Sequence, residues 1–178
     1  MLEKLKDITT FIFDVDGVLT NGNILVTETG EQLRQYNIKD GYAIQLAIKK
    51  GYHVCIITGA KTEAVKLRLQ GLGIQHIYLG ASYKMVSFND FLAKTGLSKS
   101  EIVYVGDDLP DQEIMEQIAI AVAPADAVEE IKAISNYISP FFGGAGVARE
   151  IIEKVLKVQG KWSIEKPDAD DGSLIKMG

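Results

Sequence analysis

The sequence has little of several features that define whole classes of protein. Its 178 residues include one cysteine, Cys55, so neither an intrachain disulfide nor a CxxC metal knuckle can form. No apolar run approaches the roughly 18 to 20 residues of a membrane-spanning helix, and the first ten residues lack the apolar stretch of a secretory signal. We therefore expect a cytoplasmic protein that does not enter a membrane.

Positive charge is also scarce. Lys and Arg number 19 against 24 Asp and Glu, which gives a net charge of −5, and no block of basic residues occurs. A chain of this kind is a poor partner for nucleic acids and for anionic membranes. An anionic substrate would need a metal ion or a few well-placed cations to hold it.

Short apolar, β-branched runs alternate with segments of helical periodicity. This alternation predicts an α/β fold, a Rossmann-like doubly wound parallel sheet with helices on both faces. We expect a single domain over residues 1–162 and a polar C-terminal tail over 163–178. The predicted strands cover residues 11–15, 53–58, 76–80, 102–106 and 119–123.

One segment breaks this rhythm between the first strand and the first long helix. Residues 21–40 alternate with period two on both sides of Thr29–Gly30, which predicts a β-hairpin at about 23–37. The hairpin is therefore an insertion after the first strand of the sheet.

Polar side chains follow four consecutive predicted strands of the sheet. Taken alone, each has an ordinary explanation, such as a solvated turn for residues 14–17, a helix N-cap for Thr58 or a surface position for the lysine. A parallel sheet, however, brings all of them to one edge, where open α/β sheets bind their ligands. The set comprises Asp14, Asp16, Thr58, Gly59, Lys84, Asp107, Asp108 and Asp111.

The order and types of these residues resemble the haloacid dehalogenase superfamily of phosphotransferases. Over about residues 8–162, the closer resemblance is to the 3-deoxy-D-manno-octulosonate 8-phosphate phosphatase family, which makes the eight-carbon acidic sugar of bacterial lipopolysaccharide. The segments that carry it are FDVDGVLTNG, YNIKDGYAIQLA, ITGAKTE, YVGDDLPD and GGAGVARE. The resemblance implies an enzyme, a phosphoric monoester hydrolase acting on a keto-deoxy sugar phosphate.

The resemblance also implies a role for each residue of the set. Asp14 is expected to be the nucleophile that forms an aspartyl-phosphate, and Asp16 the general acid and base. Mg²⁺ is expected at the side chains of Asp14 and Asp107 and at the backbone carbonyl of Asp16. Phosphate is expected at Thr58, Gly59 and Lys84, with supporting roles for Asp108 and Asp111.

The spacing of the motifs leaves no room for the separate cap domain that many relatives carry. Only 42 residues separate Asp16 from Thr58, and 26 separate Thr58 from Lys84. Capless members of the family assemble into homotetramers, in which hairpins meet and a neighbouring chain covers the site. We expect the same assembly here, with Ile24, Val26 and Leu33 available for burial.

The identity of the sugar stays open between two acids at this stage. Relatives that act on the eight-carbon substrate commonly carry arginine directly after ITG, and relatives that act on a nine-carbon 9-phosphate carry glutamate; this chain has Ala60. The candidate substrate-binding residues are Lys39, Asp40 and Arg149. A non-catalytic assembly domain of the same fold is the alternative from another class, and the intact set of acidic residues argues against it.

Overall fold

The computed structural model describes residues 2–163, and a six-stranded parallel sheet lies at its centre. The sheet has the order β5-β4-β1-β6-β7-β8. Its strands are β1 (Thr10–Phe13), β4 (His53–Ile57), β5 (His76–Tyr78), β6 (Ile102–Val105), β7 (Ile120–Ala123) and β8 (Tyr137–Ile138). A separate antiparallel pair is formed by β2 (Leu25–Val26) and β3 (Gln32–Leu33).

Seven α-helices connect or flank the strands in the described part of the chain. They are α1 (Leu2–Leu5), α2 (Ile38–Lys49), α3 (Glu63–Gly71), α4 (Lys84–Thr95), α5 (Gln112–Met115), α6 (Glu129–Ile134) and α7 (Val147–Val158). None of them is long and apolar enough to cross a membrane. The predicted tail over 163–178 lies, except for its first residue, outside the described residues.

The strand order confirms the predicted doubly wound α/β fold. From β1 the chain moves outward through β4 to β5, and then returns to the other side of β1 to build β6, β7 and β8. The reversal places a topological switch point between β1 and β6, and ligands bind there in open α/β sheets. The residues that follow β1 and β6 therefore face one crevice.

Both faces of the sheet are buried, which explains why its strands read as continuous apolar runs. Phe11 and Phe13 of β1 point into one core, beneath α2, α3 and α7, whereas Ile12 points into the other, beneath α4, α5 and α6. In β6 the alternation continues, because Val103 joins the first core and Tyr104 the second. The period of two in the side-chain direction thus fixes the register of the central strands.

The predicted strands are one or two residues longer than the observed ones, and three of the helices and strands named above were not predicted. The helices α1 and α6 and the strand β8 have two to six residues each, too few to show a clear period. The hairpin region pairs over fewer residues than the predicted 23–37, since only β2 and β3 hydrogen-bond as a ladder. Asn37 ends this region by capping α2, because its side chain accepts a hydrogen bond from the Lys39 N–H at 2.9 Å.

The N-terminus of α7 is capped by a side chain from another helix. Gly146 precedes α7 and has no side chain to offer, so the buried Asp40 of α2 accepts a hydrogen bond from the Arg149 N–H at 2.7 Å. Burial raises the pKa of Asp40 to about 6, although the N–H groups of Arg149 and Gly146 oppose that shift. The carboxyl therefore joins the two helices. Its ionisation lowers the stability of the folded state, because the charge is buried.

We predict that Asp40→Asn stabilises the protein at neutral pH and not in acid. Because the folded state holds the Asp40 proton more tightly than the unfolded chain does, the contribution of this carboxyl is greatest below about pH 4 and is lost as the pH rises through about 6. A shift of about two units corresponds to about 3 kcal/mol, and asparagine keeps the accepting oxygen. Urea unfolding of both proteins between pH 4 and pH 7.5 measures the difference.

The same change at the exposed Asp7 is the matched control. A constant difference between Asp40→Asn and the unchanged protein across that pH range would contradict the role of ionisation.

Candidate active site

Asp14 stands at the end of β1 and is almost completely buried. Its N–H donates to the Val105 carbonyl at 3.1 Å, which extends the ladder between β1 and β6 by one residue. Its side chain is 10% exposed, and Oδ1 lies 3.1 Å from the Lys84 Nζ. Burial raises the pKa of Asp14 to about 6, while the charge of Lys84 opposes that shift. The carboxylate is thus fixed in place, with a cation beside it.

Lys84 joins Asp14 to a second buried acid. Its Nζ donates to Asp111 Oδ1 at 2.7 Å, and the Tyr104 hydroxyl donates to the same oxygen at 2.6 Å. Burial by itself would lower the pKa of Lys84, but the two carboxylates raise it, so the ammonium stays charged. Lys84 begins α4, where the helix dipole disfavours a cation. The two acids offset that local cost.

Asp107 follows β6 and has one side-chain oxygen without a protein partner. Its backbone N–H donates to Asp111 Oδ2 at 3.2 Å, whereas its own Oδ1 is buried and accepts no hydrogen bond from the described residues. Burial and the charges of Asp14 and Asp111 together raise the pKa of Asp107 to about 8, while the charge of Lys84 opposes that shift. A bound cation would lower the pKa of Asp107 and would give its Oδ1 a partner.

Three carboxylates come close enough together to hold a metal ion. One oxygen each from Asp14, Asp107 and Asp111 lies within 4.8 Å of the others. When all three are ionised, the single positive charge of Lys84 leaves two negative charges uncompensated, and all the donor atoms are the hard oxygens that Mg²⁺ prefers. Asp111 Oδ1 already accepts hydrogen bonds from Lys84 and Tyr104, whereas Asp107 Oδ1 has no hydrogen-bond partner among the described residues.

These groups form the floor of a cavity of about 340 Å³. Thr58 at the end of β4 is buried beside it, and its hydroxyl accepts a hydrogen bond from the Ala60 N–H at 3.2 Å. Gly59 offers an exposed backbone, and Ala60 contributes only a methyl group. The lining consists of Asp14, Asp16, Thr58, Gly59, Ala60, Ala81, Ser82, Lys84, Asp107, Asp108, Pro110 and Asp111.

Asp16 is held by an arginine from the hairpin region. Arg34 donates from Nε to Oδ1 at 2.7 Å and from Nη2 to Oδ2 at 2.9 Å, and its side chain is 4% exposed. The Thr20 hydroxyl lies 3.3 Å from Oδ1 of the same carboxylate. Asp16 therefore lines the cavity beside Asp14 but belongs to a separate set of contacts.

The glycine-rich loop near the C-terminus packs directly on the turn after β1. The Gly144 N–H donates to the Val18 carbonyl at 2.9 Å. A Cβ added to Gly143 would lie 2.1 Å from the Gly17 carbonyl oxygen, so no side chain fits between the two segments. This loop supports the turn that carries Asp16.

Comparison with known proteins identifies the family. Residues 80–151 match the profile of haloacid dehalogenase-like hydrolases. The 3-deoxy-D-manno-octulosonate 8-phosphate phosphatase KdsC of Escherichia coli strain K12 is 40% identical over 161 residues, which cover 90% of this chain and 86% of that protein. The chain belongs to the 3-deoxy-D-manno-octulosonate 8-phosphate phosphatase family.

Solved structures of this family share the whole fold. The phosphatase of Moraxella catarrhalis, solved with magnesium, phosphate and the sugar acid, has a TM-score of 0.86 at 33% identity and covers 89% of this chain and 91% of its own. The cobalt-bound phosphatase of Haemophilus influenzae has a TM-score of 0.85 at 30% identity, covering 89% and 92%. Mg²⁺ is accordingly the cofactor that the acidic cluster of this chain fits.

The structure brings together most of the residues that the sequence singled out for this family site, and leaves three outside the cavity. Asp40 is buried against α7, where its carboxylate accepts the Arg149 N–H, and its contact with a substrate stays a prediction. Lys39 and Arg149 line a second cavity of about 440 Å³. Within it, Arg149 pairs with Glu153 at 2.9 Å and stacks on Trp162, with 4.5 Å between the guanidinium carbon and the ring centre.

Sequence reasoning missed two residues that contact the acids of this cavity, Tyr104 at Asp111 and Arg34 at Asp16. Tyr104 lies inside an apolar strand and gives no sign of its polar partner, and Arg34 lies in a polar hairpin among other charged residues. Asp108, by contrast, was predicted to support the metal; its exposed side chain accepts a hydrogen bond from the Leu109 N–H at 2.8 Å and so caps the turn at Leu109–Asp111.

We predict that Gly17→Ala disrupts the metal site without unfolding the protein. Gly17 has φ +90°, and an added Cβ would lie 2.0 Å from Asp107 Oδ2, so this carboxylate must move. Mg²⁺ affinity, measured by titration calorimetry, should fall at least about tenfold because the position of one ligand is lost.

Gly51→Ala is the matched control, since Gly51 has φ +85° and an added Cβ meets no atom within 4 Å. This variant suffers the same backbone strain and should keep its Mg²⁺ affinity. Equal losses in the two variants would contradict the steric explanation.

Proposed function

We propose that this chain hydrolyses 3-deoxy-D-manno-octulosonate 8-phosphate to the free sugar acid and inorganic phosphate, in a Mg²⁺-dependent reaction. The observation that carries the proposal is the buried Asp14 beside Asp107 and Lys84 in a cavity at the switch point of the sheet. Extensive similarity to phosphatases of that substrate supports the choice of sugar.

Asp14 is the nucleophile in this proposal. One of its carboxylate oxygens attacks phosphorus as the bond from phosphorus to the sugar oxygen breaks, which gives an aspartyl-phosphate. Lys84 holds this carboxylate in place and, together with Thr58 and the exposed backbone of Gly59, binds the phosphoryl oxygens. Asp111 keeps Lys84 charged and oriented.

Asp16 moves the proton in both steps. It first protonates the departing sugar oxygen, and its carboxylate then takes a proton from the water that attacks the aspartyl-phosphate. The products are inorganic phosphate and a regenerated Asp14. The position of Asp16, two residues beyond the nucleophile and lining the same cavity, supports this role.

The Asp14 and Asp107 carboxylates and the Asp16 backbone carbonyl would hold Mg²⁺, with Asp108 supporting this set. When bound, the ion neutralises phosphate charge, so that an anionic nucleophile can approach an anionic ester. The partner-free Oδ1 of Asp107 supports this assignment. For the carboxylate of the sugar acid, Lys39 and Arg149 are the candidate cations, because both line the cavity beside the glycine-rich loop.

Phosphate release from a panel of esters tests the proposed function. With Mg²⁺ present, we expect kcat/KM for the eight-carbon 8-phosphate to exceed that for the nine-carbon 9-phosphate and for hexose phosphates. Asp14→Asn should reduce turnover to background, since it removes the nucleophile, while thermal unfolding shows that the variant is folded. A preference for the nine-carbon acid would overturn the choice of sugar, and a wild type inactive on every ester would favour a non-catalytic assembly domain.

The proposal includes a homotetramer in which hairpins from neighbouring chains meet. Leu25 and Val26 of β2 are 67% and 61% exposed, and Leu33 of β3 is 48% exposed, so one chain alone leaves an apolar surface in water. A second copy of this hairpin offers the same surface in return. We also place the enzyme in the cytoplasm, where its one thiol, the buried Cys55, stays reduced.

We predict that Leu25→Glu with Val26→Glu lowers the oligomeric state. Charges placed on the hairpin would be buried without partners at the contact, which costs more than the contact gains. Analytical ultracentrifugation should give four times the mass of one chain for the unchanged protein and a smaller assembly for the variant.

Leu67→Glu is the control for this pair, because Leu67 of α3 is 61% exposed and lies outside the hairpin. An unchanged mass for the double variant would remove the hairpin from the interface.

A further inference from the structure

We propose that Arg34 is a positioning residue that orients the carboxyl group of Asp16, from whose protonated form the proton passes to the departing sugar oxygen. The inference rests on the proposed function, in which Asp16 is the general acid and base. Arg34 directly follows β3, so the hairpin region would serve the reaction as well as the assembly.

The contact is of the kind that fixes a carboxylate plane. Two nitrogens of the Arg34 guanidinium donate to the two oxygens of Asp16, at 2.7 and 2.9 Å, so that rotation of the carboxylate about its last bond is blocked. Lysine offers a single point charge and cannot reproduce this fork. The remaining Nη1 of Arg34 is buried and has no hydrogen-bond partner among the described residues. The hydrogen bonds of the guanidinium therefore go to Asp16.

Little else in the structure restrains the Asp16 side chain. This side chain is 30% exposed, and its other hydrogen-bonding contact among residues 2–163 is the Thr20 hydroxyl at 3.3 Å, at the long end of hydrogen-bond distances. Asp14, in contrast, is held by Lys84 in a buried setting. Removal of Arg34 should therefore free Asp16 while leaving the nucleophile and the phosphate site in place.

Orientation matters here because of the leaving group. An alkyl oxygen leaves phosphorus poorly unless it is protonated, so its departure depends on a correctly placed general acid, an effect typically of about 10² to 10⁴ in rate. A p-nitrophenolate oxygen leaves without a proton. Variants that disturb only the acid should therefore slow alkyl esters and spare the aryl ester.

The test compares kcat/KM of Arg34→Gln on three esters: the eight-carbon 8-phosphate, ribose 5-phosphate and p-nitrophenyl phosphate. This constant reports the steps up to departure of the leaving group and excludes the later hydrolysis of the aspartyl-phosphate. We expect a fall of about 30-fold or more for both alkyl esters and less than about threefold for the aryl ester. Ribose 5-phosphate is included because it lacks the carboxylate, which removes direct recognition of the sugar acid by Arg34.

Two further variants sharpen the result. Arg34→Lys keeps a charge but loses the fork, so its ratio of alkyl to aryl kcat/KM should lie between those of Arg34→Gln and the unchanged enzyme. Gln32→Ala, at an exposed position of β3, is the matched control and should leave the ratio unchanged. Ultracentrifugation of each variant shows whether its assembly is intact.

Each outcome decides the matter. An equal fall on all three esters, or no fall at all, would overturn the positioning role. A fall on the eight-carbon ester alone would make Arg34 a contact of the sugar acid instead. If the unchanged protein hydrolyses none of the three esters, the proposed function fails, and this outcome is distinct from the others because it is read before any variant is compared.

Discussion

The buried ammonium of Lys84 is the constraint on which the rest of the site depends. It lies 3.1 Å from Asp14 and 2.7 Å from Asp111, and without it the carboxylates would repel one another in a medium that solvates none of them. Loss of one partner from such a buried pair commonly costs about 3–5 kcal/mol. The start of α4 tolerates a cation because Asp14 and Asp111 offset its local cost, and in the proposed reaction this arrangement keeps the Asp14 carboxylate charged.

Much of the fold and of this site could be predicted because the relevant signals are local. The β-branched runs specify the strands, and a parallel sheet necessarily brings the residues after β1, β4 and β6 to one edge. Asp14, Thr58 and Asp107 are therefore placed by topology alone, before any side chain is considered. The segments between the motifs are too short to contain a cap domain, which the sequence alone shows.

The remaining contacts depend on long-range packing that no local pattern records. Asp40 reads as one more polar residue of a helix start, yet 109 residues separate it from the Arg149 N–H that it caps. The sequence around Arg34 is typical of an exposed charged residue. Nothing in it indicates that the guanidinium binds Asp16, which lies 18 residues earlier in the chain. Tyr104 fits the apolar pattern of its strand, and only its hydroxyl group is polar. Residues of this kind become visible once the sheet and its loops are assembled.

The close packing of the glycine-rich loop on the turn after β1 has a consequence for the order of events during synthesis. Gly144 accepts a hydrogen bond from Asn37, 107 residues earlier, and binds the Val18 carbonyl of the turn itself. A nascent chain that has released β1 to β7 thus carries Asp14, Asp107 and Asp111, while the turn with Asp16 still lacks the support of this loop. The loop follows β8, so the turn gains its packing partner only after every strand of the sheet has been synthesised.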